Sequence, residues 1–138
     1  MQVQPYVCFE GRCDEAIEFY RKALGAELSF RMRFKEMPAA PDGQCHIAPG
    51  TEDKIMHASL QIGDSTVLVS DGHCQGPAEF KGVLLAVQLK DAAQADRAFA
   101  ALSAGGQVLM PLTKTFWSPR FGMVADKFGV SWMVNVNS

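Results

Sequence analysis

Residues 3–25 read VQPYVCFEGRCDEAIEFYRKALG, and residues 83–105 read VLLAVQLKDAAQADRAFAALSAG. Both segments begin with an apolar alternation, which predicts a strand, and continue into a helix that carries a Phe and ends at a glycine. The corresponding residues, Phe19 with Phe99 and Gly25 with Gly105, lie 80 positions apart. Two copies of one unit predict a duplicated fold, and such copies commonly form a site together.

The remainder of the chain extends the repeat. Ile62-Gly63 corresponds to Phe128-Gly129 at a separation of 66, so the first half contains about 14 additional residues. Residues 36–53 hold three prolines and two glycines, so we interpret them as an insertion loop, either a lid or plain surface. We therefore predict an α+β fold of two β-α-β-β-β modules. Its strands are expected at 2–9, 26–34, 55–62, 65–71, 83–89, 106–113, 120–127 and 130–136, and its helices at 14–24 and 91–104.

Local signals add detail to these elements. Alternation places Val3, Val7 and Phe9 on the apolar, core-facing side of the first strand, and Met56, Ala58, Leu60 and Ile62 on that of the third. Gly63-Asp64 is expected to turn a tight hairpin, and Asp91 with Gln94 to form a capping box at the start of the second helix.

Composition narrows the class of protein. The 138 residues are 48% apolar and 20% charged, with a net charge of −2, which predicts one globular domain over 1–138. We expect module 1 at about 1–73, a connector at 74–81 and module 2 at about 82–138. No basic cluster supports nucleic-acid binding, and no apolar run is long enough to span a membrane, so we expect a cytoplasmic protein. The cysteines at 8, 13, 45 and 74 are expected to be free thiols, because their spacing with the histidines suits no common zinc site.

Several segments resemble the vicinal oxygen chelate superfamily, which includes glyoxalase I, extradiol dioxygenases and the bleomycin- and fosfomycin-resistance proteins. The closest similarity is to its PhnB-like branch, often labelled a 3-demethylubiquinone 3-methyltransferase domain. The similar segments are Pro5-Tyr6, Gly11-Arg12-Cys13, Glu15-Ala16 with Phe19-Tyr20, residues 24–27, residues 54–58, Thr115-Phe116-Trp117, Arg120-Phe121-Gly122, Phe128-Gly129-Val130 and residues 132–135. We reject a methyltransferase activity, because Gly105-Gly106 follows a helix rather than joining a strand to a helix.

The resemblance implies that the modules pair into a strongly curved, incompletely closed mixed sheet with helices outside and a cavity inside. Alternation would then direct one set of side chains into the cavity. This set comprises Gln4, Tyr6, Cys8, His57, Ser59 and Gln61. The superfamily's habits and the open sheet edges also imply a homodimer.

The resemblance further implies four metal-ligand positions, two in each module. Counting from the helix aromatics and the hairpin glycines gives Gln4, Leu84, Val67 and Met133, of which three have aliphatic or thioether side chains that do not suit a divalent ion. Residues 82–89 and 130–138 contain no His, Asp or Glu. We therefore expect no metal and no other cofactor. A minority alternative is a degenerate centre for Zn, Ni, Mn or Fe formed by Gln4, His57 and Asp71.

His57 is the strongest candidate for proton transfer, because an imidazole titrates near neutral pH. The alternative is a structural histidine hydrogen-bonded to Tyr6. His46 and His73 are weaker candidates, and the His73-Cys74 pair lacks a residue to orient the imidazole.

The segment from Thr113 to Gly122 supplies further candidates for binding. Trp117 could stack on a planar ligand while Arg120 holds an anionic group, or the aromatic residues could seal a sheet edge or a dimer contact. Asp71 and Asn135 are predicted as polar accessories of the same site.

These observations favour a small-molecule binding protein without a metal centre, similar to the proteins that sequester bleomycin. The predicted site contains Gln4, Tyr6, His57, Asp71, Trp117, Arg120 and Asn135. The alternatives are a lyase, isomerase or dioxygenase with a degenerate metal centre, and a metal-free enzyme with His57 as general base. Fold analogy does not separate them.

Overall fold

The computed structural model describes residues 1–37, 49–72 and 76–137. Over these residues the chain divides into two compact units, Met1–Ala78 and Glu79–Ser138. Each unit contains one α-helix and one four-stranded mixed sheet, so the predicted α+β fold of tandem β-α-β-β-β modules is confirmed. Neither helix has the length and apolar character needed to cross a membrane.

The first module has the strand order β1-β4-β3-β2. Strand β1 is parallel to β4, and the other neighbours are antiparallel. Its elements are β1 (Tyr6–Cys8), α1 (Cys13–Leu24), β2 (Glu27–Arg33), β3 (Ile55–Ile62) and β4 (Ser65–Ser70). Strand β1 is shorter than predicted, and Val3, which the alternation assigned to the core, is 92% exposed because it precedes the strand.

The second module repeats this arrangement with the order β5-β8-β7-β6. Its elements are β5 (Leu84–Leu89), α2 (Ala92–Ser103), β6 (Gln107–Thr113), β7 (Phe121–Ala125) and β8 (Ser131–Val136). Strand β6 contains Pro111, which the sheet accepts because β6 lies at its edge and one side of its backbone needs no partner.

The two helices begin differently. Asp91 caps α2 and accepts a hydrogen bond from the Gln94 backbone N–H at 2.8 Å. The second half of the predicted capping box differs, since the Gln94 Oε1 atom accepts from the Lys90 backbone N–H and not from that of Asp91. Helix α1 has no side-chain cap of its own and ends as predicted at Gly25, which adopts a left-handed conformation.

Each sheet has one face covered by its helix and one open face. In the first module Leu60 lies opposite Val67 and Ala58 opposite Val69, and all four are buried. In the second module Val124, Trp132 and Val134 are buried on the corresponding face. The remaining residues of these strands form the open faces, because successive side chains of a strand point to opposite sides.

A β-bulge occurs at the same place in both modules. In β2 the pairing shifts between Leu28 and Phe30, and in β6 it shifts between Val108 and Met110, 80 residues later. The bulge turns Phe30 and Met110 to the open faces, where they pair with Ser59 and Met123.

The register corrects the predicted offset between the later strands. Ser59 corresponds to Met123, a separation of 64, and Leu68 corresponds to Met133, a separation of 65, rather than 66 for both. The β7–β8 hairpin is one residue longer than the β3–β4 hairpin, and the first module has 16 additional residues before β3. A second irregularity, between Met32 and Arg33, explains why Ile55 is fully buried while Met56, predicted for the core, is not.

The two ends of the predicted insertion loop are held together. The Lys35 Nζ atom lies 2.6 Å from the Asp53 carboxylate, and the Lys35 backbone N–H donates to the Glu52 carbonyl. The central part of the insertion, including Cys45 and His46, lies outside the described residues, as do His73 and Cys74.

Candidate functional site

The open face of the first module carries a cluster of three rings. His57 on β3 lies between Tyr6 on β1 and Phe30 on β2, with ring centroids 5.7 Å and 6.0 Å away. The His57 Nδ1 atom is 3.4 Å from the Tyr6 hydroxyl, so the predicted contact between these residues is confirmed. Tyr6 is 52% exposed and Phe30 is 46% exposed, so both ring edges are accessible to a ligand.

Asp71, predicted as a polar accessory of the site, has a structural position. It is 1% exposed, and its carboxylate accepts from the backbone N–H groups of Gly11, Cys13 and Ile55 at 2.7–2.9 Å. Two of these donors belong to the start of α1, so Asp71 supplies the anionic cap that α1 lacks. Because its oxygens are engaged inside the fold, we assign Asp71 to the support of the first module.

Three of the four predicted metal-ligand positions, all except Gln4, carry aliphatic or thioether side chains. Val67 lies on the covered face opposite Leu60, and the residue that corresponds to Met133 on the open face is Leu68. Leu84 lies at the start of β5, and Gln4 lies just before β1 and is half-buried. The described residues contain no group of three His, Cys, Asp or Glu side chains that could hold an ion. Thioether and aliphatic groups do not suit a divalent cation.

The second module brings Trp117 and Asn135, two of the predicted site residues, close to Phe121. The Trp117 ring packs edge-on against Phe121 at 5.3 Å, and Phe121 pairs across the sheet with Asn135. The Asn135 Nδ2 atom donates to the Gln88 Oε1 atom at 2.7 Å, while its Oδ1 atom is buried and has no hydrogen-bond partner among the described residues. Trp117 and Asn135 therefore belong to one continuous surface.

The loop that carries Trp117 is held rigidly. The Thr115 hydroxyl accepts from the backbone N–H of Trp117 and Ser118, and the Ser118 hydroxyl lies 2.7–2.8 Å from the carbonyls of Arg120 and Val136. This network presents the half-exposed Trp117 with little conformational freedom to lose on binding.

Arg120 makes a different contact from the one predicted for a ligand-gripping residue. Its Nη2 atom lies 3.4 Å from the Asp96 carboxylate on α2. The pair is partly solvent-exposed and therefore weak, so an anionic ligand could compete with Asp96 for the guanidinium. Its predicted role in ligand binding stays a prediction.

Sequence reasoning missed a second buried carboxylate. Asp126 accepts from the backbone N–H groups of Phe128 and Val130 and from the Trp132 indole N–H, at 2.8–3.1 Å. It fastens the turn of the β7–β8 hairpin. An Asp that precedes Lys-Phe-Gly, followed by a Trp at the sixth position, was the available signal, since Asp favours turns.

Both described cysteines are poor nucleophiles. Burial, followed by the charges of Asp71 and Asp14, raises the pKa of the Cys13 thiol far above its ordinary value. Burial, followed by the charges of Glu10 and Asp71, also raises the pKa of Cys8. A protonated thiol neither attacks carbon nor binds metal, so neither residue supports covalent catalysis.

Comparisons with known proteins agree with this architecture. Residues 2–134 match the model of the Glyoxalase/Bleomycin resistance protein/Dioxygenase superfamily. The chain is 36% identical over 140 residues to protein YjdN of Escherichia coli, with 99% of this chain and 95% of that protein covered.

Two solved structures are similar over nearly their whole length. The protein PA1353 from Pseudomonas aeruginosa is 39% identical with a TM-score of 0.79, and 99% of this chain and 98% of that chain are covered. A protein from Bacillus cereus, described as a putative 3-demethylubiquinone-9 3-methyltransferase, PhnB protein, is 26% identical with a TM-score of 0.80, and 99% of each chain is covered. The resemblance inferred from the sequence is therefore confirmed: the chain belongs to the glyoxalase/bleomycin resistance protein/dioxygenase superfamily and has PhnB-like relatives.

Proposed function

We propose that this protein binds a small organic molecule on the open faces of its sheets without a divalent metal centre. The observation that carries the proposal is the cluster of Tyr6, His57 and Phe30. Half-exposed aromatic rings on a rigid sheet lose little entropy when a ligand stacks on them, and such surfaces commonly line small-molecule sites.

His57 supplies the polar contact within this cluster. Its Nδ1 atom faces the Tyr6 hydroxyl, which leaves the Nε2 atom without a hydrogen-bond partner among the described residues. If the hydroxyl donates to Nδ1, Nε2 carries the proton and becomes a donor. A ligand with a carbonyl, carboxylate or phenolate oxygen would match it.

The same pair supports a second candidate, a metal-free enzyme with His57 as general base. A base requires the other tautomer, in which Nδ1–H donates to the Tyr6 hydroxyl oxygen and the unprotonated Nε2 atom takes a proton from the substrate. A lyase or isomerase reaction that moves a proton next to a carbonyl group would fit this role.

The remaining parts of the proposal concern the cell and the assembly. We propose a cytoplasmic protein that forms a homodimer, supported by the strand edges of β2 and β6, which have no partner within their sheets. Sedimentation at several concentrations tests the assembly, and a monomer at micromolar concentration would contradict it.

The binding experiment is calorimetry or thermal shift against aromatic and anionic metabolites. A ligand should raise the melting temperature by mass action. For a ligand found in this way, we expect His57→Ala and Phe30→Ala to lower the affinity about tenfold or more. Gln61→Ala, at the far end of β3, should leave the affinity unchanged. Hits that all of these variants bind equally well would contradict the proposed surface.

The metal question needs its own measurement. Purified protein is analysed for metal before and after incubation with Ni²⁺, Zn²⁺, Mn²⁺ or Fe²⁺. We expect substoichiometric metal that Gln4→Ala and His57→Ala do not change. Stoichiometric metal that is lost in either variant would favour the metal-dependent alternative.

A further inference from the structure

We infer that the open face of the second module binds a flat, uncharged aromatic molecule with a hydroxyl or amino substituent, a phenol or an arylamine. This inference rests on the proposed function and names the ligand class for one of its surfaces. Three methionines would contact the ring, and the Asn135 side chain would accept the hydrogen bond of the substituent.

The methionines form one row across three strands. Met110 on β6 lies opposite Met123 on β7, which lies opposite Met133 on β8, and Ala86 on β5 completes the row. Residues directly opposite each other in a sheet share a face, so the three side chains are adjacent. The bulge in β6 is what turns Met110 to this face.

A methionine row has the properties of an adaptable platform for aromatic ligands. The side chain is unbranched and polarizable, and its sulfur makes favourable contacts with ring edges. Met110 is 41% exposed and the other two are half-buried, so these side chains are not consumed by the core of the module.

Asn135 provides the single unmatched polar atom of this face. It lies two residues beyond Met133 on the same side of β8, about 7 Å away along the strand. Its amide N–H already donates to Gln88, so the buried Oδ1 atom requires a donor from outside the described residues. A buried acceptor without a donor is costly, and a ligand hydroxyl or amino group would remove that cost.

The burial of this oxygen defines how a ligand reaches it. A neighbouring side chain must move aside first, and methionine does so readily because it has three rotatable bonds. Met133, two residues before Asn135 on the same side of β8, is a neighbour with this flexibility.

The charge of the ligand follows from the strands themselves. Strands β5, β7 and β8 contain no Asp, Glu, Lys or Arg. A carboxylate or an ammonium group on the ligand would lose hydration on this face without gaining a partner. This excludes benzoate-like and benzylamine-like ligands and leaves neutral phenols and arylamines.

The test uses protein with ¹³C-labelled methionine methyl groups, titrated with phenol, aniline, anisole and benzoate. We expect phenol and aniline to shift the signals of Met110, Met123 and Met133, with anisole at least tenfold weaker and benzoate silent. Met1 and Met37, which lie outside both sheets, serve as internal controls and should not move.

Variants separate the two contacts. Asn135→Leu should abolish the preference for phenol over anisole, whereas Asn135→Asp, which keeps an acceptor, should retain it. Met123→Ser should weaken phenol and anisole alike by about tenfold. Circular dichroism confirms that each variant is folded before it is titrated.

The outcomes also separate this inference from the proposed function. Equal affinity for phenol and anisole would overturn the inference and leave the proposed function standing. The same holds if the binding of the ring probes depends on Phe30 and His57 but not on Met123 and Asn135. Ring probes that bind to neither module would overturn both.

Discussion

The two modules share a backbone and differ in the chemistry of their open faces. Phe30, Ser59, Leu68 and Tyr6 form one cross-strand row in the first module, and the corresponding row in the second module is Met110, Met123, Met133 and Ala86. One row offers aromatic rings beside a histidine, and the other offers thioethers beside an amide pair.

Duplication therefore supplies the same backbone scaffold twice, and the side chains on the open faces determine the specificity of each module. The same bulge recurs 80 residues apart, so the backbone places side chains at the same positions in both modules. The covered faces stay apolar in both because each must pack against a helix.

The largest effects should come from the two buried carboxylates. Asp71→Ala and Asp126→Ala each leave three buried or partly buried donors without this acceptor, so we expect each to lower the free energy of unfolding by about 3–5 kcal/mol. The matched control is Asp91→Ala, which removes one exposed cap and should cost about 1 kcal/mol. Urea denaturation measures the free energy of unfolding of all three variants. Equal losses would contradict the supporting roles assigned to Asp71 and Asp126.

A smaller loss of stability should distinguish the helix-covered faces of the two sheets. Gly122 occupies the position that Ala58 holds in the first module, and a Cβ atom there would lie 2.8 Å from the Phe99 ring and 2.9 Å from the Leu112 Cα atom. Gly122→Ala should therefore cost about 1–3 kcal/mol, since backbone as well as a side chain must shift. Ala58→Gly should cost about 1 kcal/mol in the same denaturation assay, because glycine weakens a strand. A neutral Gly122→Ala would show that the second module packs more loosely than its contacts indicate.

Alkaline pH should weaken the first module through Cys13. Its pKa is raised in the folded state by burial, so the folded protein keeps the thiol proton while the unfolded chain loses it above about pH 9. Stability from this residue is present below that pH and is lost as pH rises, at no more than about 1.4 kcal/mol per pH unit. Cys13→Ala should flatten the decline in denaturation midpoint above pH 9, and an unchanged slope would count against a buried, protonated thiol.

The smallest effects should come from the ion pairs between helix and sheet. Asp14 contacts two arginines of β2, at 2.7 Å from Arg33 and 3.5 Å from Arg31, whereas Asp96 contacts one arginine among the described residues, Arg120, at 3.4 Å. We expect Asp14→Ala to cost about 1 kcal/mol and Asp96→Ala less than about 0.5 kcal/mol, both reduced in 1 M salt. Asp96→Ala should also strengthen the binding of any anionic ligand held by Arg120. Calorimetry with Asp96→Ala and Arg120→Ala tests whether Arg120 binds such a ligand.

The sequence predicted the elements that local signals control. Gly25 ends α1, Asp91 caps α2, and Gly63-Asp64 turns the β3–β4 hairpin, because each residue acts within a few positions of itself. Duplication then defined the fold class, since one helix and four strands occur twice in the same order.

Features controlled by distant partners were not predictable in this way. The bulges at Ser29 and Leu109 involve no glycine or proline and depend on pairing with β3 and β7. Val67 was assigned to the wrong face, because the second hairpin contains one more residue than the first. The methionine row became visible only once the register of three strands was known, since its members lie 10–23 positions apart.

The sequence distances spanned by the two carboxylates have a consequence for the order of folding. Asp126 binds groups 2, 4 and 6 residues away, whereas Asp71 binds groups 16, 58 and 60 residues away. Closing short loops precedes closing long ones, so the β7–β8 hairpin can nucleate early while the start of α1 must wait for β4 to arrive. Substitution of Asp126 should then slow refolding, and substitution of Asp71 should chiefly speed unfolding.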